Sequence, residues 1–377
     1  MREGTVLGMG RNMAIQWLRA FAAVEVMLWH SDLMTKRFSN YSIQTSDYAF
    51  FGGIGVEVFF IVSGFLMSLV SSHEPKAWNF AIRRVIRIYP LYWMFTSLVV
   101  LAAVISPHWV LGGSLARASI LESYLIVPQN VFPTLMVGWT LEYEIVFYCL
   151  VMLCLVAATA GPVWKHRWIL STILASLGLC GAAIPDAISS SAILDHLLSP
   201  YMFGFGFGWL LHGLRRHLMD GAVPLAIFGT VFAFAFAISS GHDRALMARI
   251  LIAGVGVVTL MALQPMIGRL GRGGAVLAFA GEASYSIYLS HWFVLSILGK
   301  VLGVVLPPAV AFDVPARILG CAAAIAAGVA IFAFVERPLD RWLRDKLLPR
   351  KPVPDVPDEP GPVDDPVLQP ALDGVER

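Results

Sequence analysis

The chain has 377 residues, of which 58% are hydrophobic and only 14% charged, with a formal net charge of +2 and a mean hydropathy of +0.73. Soluble globular proteins carry about 25% charged residues, so this composition excludes a cytosolic enzyme, a nucleic-acid-binding protein and a secreted disulfide scaffold. The four cysteines lie in apolar stretches without a CxxC pair, which indicates buried thiols and no metal site. The sequence therefore indicates a multi-pass membrane protein whose solvent is the lipid bilayer.

Ten segments are apolar enough to cross a bilayer, which takes roughly 20 residues in a helix. They are residues 13–33, 50–71, 90–106, 139–160, 168–185, 196–213, 222–240, 246–265, 284–304 and 314–335. We therefore predict an all-α bundle of about ten transmembrane helices that forms one membrane domain over residues 1–348. Residues 349–377 contain eight prolines and seven acidic residues. Such a composition cannot bury enough apolar surface to offset chain entropy, so we expect a disordered cytoplasmic tail.

Basic residues indicate the orientation of the bundle. If the N-terminus is cytoplasmic, 19 of the 27 lysines and arginines lie in inner segments and seven in outer segments. Because basic residues are enriched on the cytoplasmic side, we predict that both termini are cytoplasmic. The first segment keeps Arg19, Glu25 and His30 within its apolar run, which favours an uncleaved helix over a signal peptide.

Arg19 and His30 are candidate functional residues because ionisable groups inside a bilayer are costly unless they are paired or hydrated. They lie eleven positions apart, which places them on one face of a helix and about 16 Å apart along its axis. Such a pair could contact the two ends of one elongated substrate. The alternative interpretation is that Arg19 snorkels to the interface and His30 caps a helix end. Glu25 faces another direction, and we expect it to pair with a neighbouring helix.

A cluster of arginines follows the second segment, in AWNFAIRRVIRIYPLYW. Arg83, Arg84 and Arg87 would lie on one side of a helical turn. Guanidinium groups bind phosphates with two hydrogen bonds at once, so a polyanionic ligand is one interpretation. Topological anchoring or binding of lipid headgroups is the other, and charge alone slightly favours it.

Further ionisable or nucleophilic side chains occur inside predicted helices. Glu57 and Ser63 lie in the second segment, and Glu144 lies in the fourth. A packing role for Ser63 is commoner than a nucleophilic one. Tyr288 and His291 are three positions apart in the ninth segment, where a histidine near the middle of a span is a candidate site residue.

Six motifs in order resemble the acyltransferase-3 family of integral membrane acyltransferases. They are LRAFAAVEVMLWH, GVEVFFIVSGFLM, RRVIRIYPLYW, WTLEYEIVFY, SYSIYLSHW and VERPLDRW, spread over residues 13–340. The likeness is greatest to members that O-acetylate bacterial exopolysaccharides and other surface glycans. It implies a bacterial inner-membrane protein, an acyl-CoA donor such as acetyl-CoA, and as acceptor a hydroxyl of a polysaccharide or of its lipid-linked oligosaccharide precursor.

The resemblance also implies roles for individual residues. The positions that match family motifs are Arg19, His30, Glu57, Arg83, Arg84, Arg87, Glu144, Tyr288 and His291. We expect the three clustered arginines to bind the phosphates of the donor. We expect His30 to act as the base or to accept the acyl group itself, with Glu144 or Glu57 orienting its ring. Glu25 departs from the family pattern, which is ordinarily apolar there, and Thr140 replaces a commoner serine.

Two other functions fit the same features. A secondary transporter that exports a glycan or a lipid-linked precursor would also have many spans and intramembrane charges. An acyltransferase acting on a lipid or a small metabolite would have the same donor chemistry with a different acceptor.

Overall fold

The structure of the chain is a computed structural model, which describes residues 13–36, 53–73, 76–106, 119–158, 163–183, 191–214, 222–238, 241–267, 271–307 and 309–348. All regular secondary structure within these ranges is helical. The predicted tail, residues 349–377, lies outside them.

The described residues form twelve longer α-helices and four short ones. The longer ones are α1 (Met13–His30), α3 (Ile54–His73), α4 (Ala77–Ile105), α6 (Trp139–Ala157), α7 (Val163–Ala183), α9 (Tyr201–Leu214), α10 (Ala222–Ile238), α11 (Gly241–Ala262), α13 (Gly271–Glu282), α14 (Ser284–Val305), α15 (Asp313–Ile331) and α16 (Arg337–Leu347). The short ones are α2 (Asp32–Thr35), α5 (Ile120–Leu125), α8 (Ala192–Leu197) and α12 (Gln264–Ile267), and 3-10 turns span Met136–Gly138 and Val310–Phe312.

Six helical stretches in the described ranges are long and apolar enough to cross a membrane. They are Ile54–His73, Ala77–Ile105, Met136–Ala157, Asp243–Ala262, Ser284–Val305 and Asp313–Leu347. The protein is therefore a multi-pass, all-helical membrane protein. Each of the ten predicted segments overlaps a helix, but α1, α7, α9 and α10 do not meet the same criteria of length and apolarity. The count of ten and the orientation of the termini stay predictions.

Helix α4 begins earlier than the predicted span of residues 90–106. It starts at Ala77 and continues through Pro90 to Ile105. The arginine cluster is consequently part of the same helix as the apolar run that follows it.

Glycines allow α3 and α9 to approach each other closely. A Cβ atom on Gly64 would overlap the backbone carbonyl of Phe205, and one on Gly208 would overlap the carbonyl of Ile61. Small residues at such crossings let helix backbones pack directly on each other. Helix α1 packs in turn against α3, α13 and α14, so the face of α1 that carries Arg19 and His30 is enclosed by other helices.

The last long helix is interrupted by a π-helical segment. Phe332–Glu336 forms this segment between α15 and α16, and Glu336 at its end is only 5% exposed. An extra residue in a helical turn rotates the side chains around it, and such segments are frequent at functional sites. Here the segment directs Glu336 toward α4 and α14.

Candidate active site

His30 is the last residue of α1 and contacts a second histidine on α14. Its Nδ1 atom lies 2.9 Å from Nε2 of His291, and the two rings stack with centroids 5.1 Å apart at 22°. Trp292 meets the His30 ring edge-on at 5.2 Å. His291 is 1% exposed, and its Nδ1 lies 2.5 Å from the backbone oxygen of Tyr288.

For neutral rings, this arrangement determines the hydrogen positions. A carbonyl oxygen can only accept, so Nδ1 of His291 must carry the hydrogen, and its Nε2 is then an acceptor. His30 therefore donates from Nδ1, which leaves the lone pair on its Nε2 free to accept a proton. The side chain that contacts the His30 ring is His291, whereas Glu144 accepts from Ser63 and Tyr148 and Glu57 pairs with Arg249.

Three arginines and one glutamate meet in a cavity of about 170 Å³, which we call the arginine cavity. Its charged lining residues are Arg19, Arg84, Arg87 and Glu144. Two buried polar atoms of lining residues, Nε of Arg84 and Oγ of Ser284, have no hydrogen-bond partner in the described part of the chain. Cationic groups therefore outnumber anionic ones on this lining.

Glu144 is held by two hydroxyl groups within the arginine cavity. Its Oε1 atom accepts from Ser63 Oγ at 2.8 Å and from the Tyr148 hydroxyl at 2.5 Å. The Tyr148 ring also lies 5.9 Å from the Arg84 guanidinium. Ser63 thus has a hydrogen-bonding role that the packing interpretation of the sequence did not include.

The structure divides the predicted arginine cluster. Arg87 forms an ion pair with Glu336, which also accepts a hydrogen bond from Ser286. Arg84 lines the cavity beside it, whereas Arg83 is not among the lining residues. Since Glu336 already pairs with Arg87, the positive charge that remains for an anionic ligand comes chiefly from Arg19 and Arg84, and Glu144 in the same lining offsets part of it.

His30 lines a second, larger cavity of about 590 Å³, which we call the aromatic cavity. Its ring-bearing lining residues, besides His30 itself, are Trp29, Phe132, Trp139, Tyr143, Tyr201 and Tyr288. Asp243 and Arg249 supply charged groups to the same lining. The cavity therefore combines the free nitrogen of a histidine with flat apolar surfaces and a few polar groups.

Arg249 was not recognised from the sequence, which placed it in an outer segment. Its Nε lies 3.0 Å from Oε1 of Glu57, which is 1% exposed. A buried carboxylate in an apolar helix requires such a partner, and this requirement was the one signal in the sequence that could have indicated Arg249.

Glu25 contacts the same helix as Glu57, as expected, because its carboxylate accepts from the Gly55 amide at 2.8 Å. No group of three or more His, Cys, Asp or Glu suited to a metal ion occurs among the described residues.

The two cavities adjoin. Val56 and Tyr288 line both of them, with Arg19 on the arginine side and His30 on the aromatic side. The Tyr288 hydroxyl donates to the Val137 carbonyl at 2.7 Å and lies 2.9 Å from Oγ1 of Thr140. The shared face of α1 thus presents its two ionisable residues to neighbouring compartments that meet at one tyrosine ring.

The chain is similar in sequence to known acyltransferases. A family model described as an acyltransferase domain, of the acyltransferase-3 type, matches residues 12–334. The chain is 29% identical over 315 residues to the exopolysaccharide production protein ExoZ of Rhizobium meliloti (strain 1021), covering 77% of this chain and 90% of that protein. It is 26% identical to the acyltransferase MdmB of Streptomyces mycarofaciens over 377 aligned positions, covering 92% and 95%. No solved structure matches the chain. The chain belongs to the acyltransferase-3 family and is a membrane acyltransferase.

Proposed function

We propose that this enzyme transfers an acyl group, acetyl in the simplest case, from acyl-CoA to a hydroxyl of an exported polysaccharide or of its lipid-linked precursor. We place it in the bacterial inner membrane with both termini and the donor on the cytoplasmic side. The observation that carries the proposal is the junction of the arginine cavity and the aromatic cavity at Tyr288. It brings a site suited to an anionic donor next to a site that contains a histidine base.

The arginine cavity supports the donor assignment. The phosphates of a CoA thioester need cationic partners, and Arg19 and Arg84 are the guanidinium groups of this lining that do not pair with Glu336. Arg19 donates a hydrogen bond to the uncharged side chain of Gln16 at 3.2 Å. The Arg84 guanidinium lies over the rings of Phe80 and Tyr148. The remaining lining is largely apolar, which suits the narrow pantetheine arm and the acyl group.

The His30–His291 pair supports the catalytic step. His30 Nε2 takes the proton of the acceptor hydroxyl, and the hydroxyl oxygen attacks the thioester carbonyl carbon. The carbon–sulfur bond then breaks, and the departing thiolate receives the proton from the His30 imidazolium. The hydrogen bond to His291 keeps His30 Nδ1 protonated throughout, so that Nε2 is the nitrogen that accepts and returns the proton.

The ExoZ relative supports the acceptor class, because its name refers to exopolysaccharide production. Membership in an acyltransferase family and a named acyltransferase relative favour the enzyme over the transporter that the sequence left as an alternative. An acceptor of another class, a lipid or a small metabolite, is an outcome of the experiments below.

The proposal is tested with purified protein in lipid nanodiscs and radiolabelled acetyl-CoA. The acceptor is exopolysaccharide from a strain lacking this protein, stripped of esters with mild base and cut into fragments. We expect acetyl-CoA to raise the unfolding temperature and His30→Ala to lower transfer by roughly 100-fold or more without changing that stabilisation. His73→Ala is the matched control, because His73 is an exposed histidine at the end of α3.

Two results contradict the proposal. Transfer by His30→Ala at the wild-type rate excludes this histidine as the base. An absence of stabilisation by acetyl-CoA, together with glycan flux in proteoliposomes, supports the transporter.

A further inference from the structure

We propose that the aromatic cavity is the acceptor site and that it binds a pyranose ring stacked against the side chain of Trp139, with Tyr143 and Tyr201 beside it. This inference rests on the proposed function, since it specifies where and how a carbohydrate acceptor would bind. We call Trp139, Tyr143 and Tyr201 the aromatic wall.

The aromatic wall is a set of rings that contact one another. Trp139 meets Tyr143 edge-on, with centroids 5.9 Å apart at 89°. Tyr201 lies 5.8 Å from Trp139 and 5.1 Å from Tyr143. All three line the cavity, so they form one contiguous apolar surface whose rings stand at 49° to 89° to one another.

A buried histidine packs against one ring of the aromatic wall. Tyr143 stacks on His196 with centroids 4.1 Å apart at 27°. Nε2 of His196 lies 3.1 Å from Glu142, and Nδ1 lies 2.7 Å from the carbonyl of Ala192. Both ring nitrogens are within hydrogen-bonding distance of a partner, so the ring cannot turn without losing one of these contacts. The wall is therefore rigid before any ligand binds, which lowers the entropic cost of binding.

The rest of the cavity matches the other surface of a sugar. A pyranose has apolar C–H groups on its ring faces and hydroxyl groups around its edge. Asp243 can accept hydrogen bonds from hydroxyl groups, and Arg249 can donate to them. The volume of about 590 Å³ lies within the range of about 300–1,000 Å³ that is typical of small-molecule sites.

Other ligand classes fit this lining less well. Arg249 is paired with Glu57 at 3.0 Å and Asp243 is an acid, so the cavity lacks the excess of positive charge that a polyanion needs. A lipid chain has no polar group that could contact the Asp243 carboxylate or the Arg249 guanidinium of this lining. A neutral, amphipathic and flat ligand uses both the rings and the charged groups.

The position of the wall also explains how a hydroxyl would meet the base. His30 lines the same cavity as the aromatic wall, with its Nε2 free to accept a proton. A sugar whose face lies on the Trp139 ring directs its edge hydroxyls into the remaining space, where His30 is located. Stacking would thus hold the acceptor within reach of the base.

The test compares Trp139→Leu and Trp139→Phe with Trp168→Leu in the nanodisc assay described above. Trp168 is 50% exposed on α7 and lines neither cavity, which makes it the matched control. For Trp139→Leu we expect the fragment concentration at half-maximal rate to rise about tenfold, with the rate at saturation changed less than about twofold. Trp139→Phe should lie between this variant and the wild type, and Trp168→Leu should equal the wild type. Stabilisation by acetyl-CoA shows that each variant is folded and binds donor.

An unchanged half-maximal concentration in a Trp139→Leu protein that acetyl-CoA still stabilises overturns this inference, whether or not its rate at saturation falls. Transfer by the wild type to lipid or to a small metabolite but not to glycan fragments also overturns it, while acyl transfer from acyl-CoA stands. If the wild type neither transfers acetyl nor gains stability from acetyl-CoA, the proposed function itself fails.

Discussion

His30 and His291 are joined by a hydrogen bond of 2.9 Å between side chains that lie 261 positions apart in the chain. The bond links the end of α1 to the first half of α14, and a backbone carbonyl anchors its far side. A charged partner would favour the imidazolium form of His30, whereas a neutral imidazole acceptor fixes its tautomer without that bias. This contact orients the proposed base.

Replacing His291 tests that role. His291→Phe keeps a ring of similar size but removes the acceptor for His30 Nδ1, so we expect the rate at saturation to fall roughly 10- to 100-fold, as for other residues that orient a catalytic histidine. His291→Gln should retain more activity, because its amide oxygen can accept the same hydrogen bond. Initial rates and thermal stabilisation by acetyl-CoA are measured for both variants. A full rate in His291→Phe would exclude the orienting role.

The divided arginine cluster predicts unequal effects of two neighbouring residues. Arg84 lines the arginine cavity and Arg83 does not. We expect Arg84→Ala to weaken binding of acetyl-CoA about tenfold or more, through loss of a charge-assisted hydrogen bond to phosphate. Arg83→Ala removes the same charge from the same helical turn and should change the Kd less than about threefold. Titration calorimetry measures both, and equal losses would argue for general attraction by the cluster.

The ion pair between Arg87 and Glu336 predicts a loss of stability. Glu336→Ala leaves a largely buried guanidinium and the Ser286 hydroxyl without their acceptor, which we expect to cost about 2–4 kcal/mol. Asp340→Ala is the control, because the pair it forms with Arg344 is more exposed and should be worth at most about 0.5 kcal/mol. Thermal unfolding in detergent measures both. If Glu336→Ala and Asp340→Ala lower the unfolding temperature by similarly small amounts, Arg87 has found another acceptor in the Glu336→Ala variant.

The close crossing of α3 and α9 predicts opposite effects of two alanine substitutions in α9. Gly208→Ala places a methyl group against the Ile61 carbonyl, so the helices must move apart at a cost of about 1–3 kcal/mol. A Cβ at Gly213 meets nothing within 4 Å, and Gly213→Ala should raise stability by about 0.4–1 kcal/mol because alanine restricts the unfolded chain. Unfolding temperatures compare the two. An unchanged unfolding temperature for Gly208→Ala would show that α3 and α9 can move apart without a loss of stability.

Much of the architecture could be predicted from the sequence, because helix formation and membrane insertion depend on residues close together along the chain. Each of the ten predicted segments overlaps a helix. The predicted tail lies outside the described residues. The count of ten stays a prediction, because four of the matching helices do not meet the criteria of length and apolarity for a membrane span. Local apolarity indicates where a helix forms more reliably than whether that helix crosses the bilayer.

The candidate residues could also be identified from the sequence by their type and position. Arg19, His30 and His291 attract attention because charged or titratable groups inside apolar helices are costly. Their partners could not be assigned in the same way. Glu57 pairs with Arg249 across 192 positions, and no periodicity within either helix connects the two.

The sequence by itself determined a membrane bundle with intramembrane ionisable groups and the motifs of an acyltransferase, since hydropathy, helical spacing and motif order are properties of contiguous residues. Only the tertiary structure decided that His291 orients His30, that Arg84 rather than Arg83 lines the arginine cavity, and that aromatic rings from α6 and α9 form one wall. These relationships depend on how the helices pack against one another. Helix packing arises from close contacts between side chains that are distant in the chain, and the spacing of residues within one helix does not specify it.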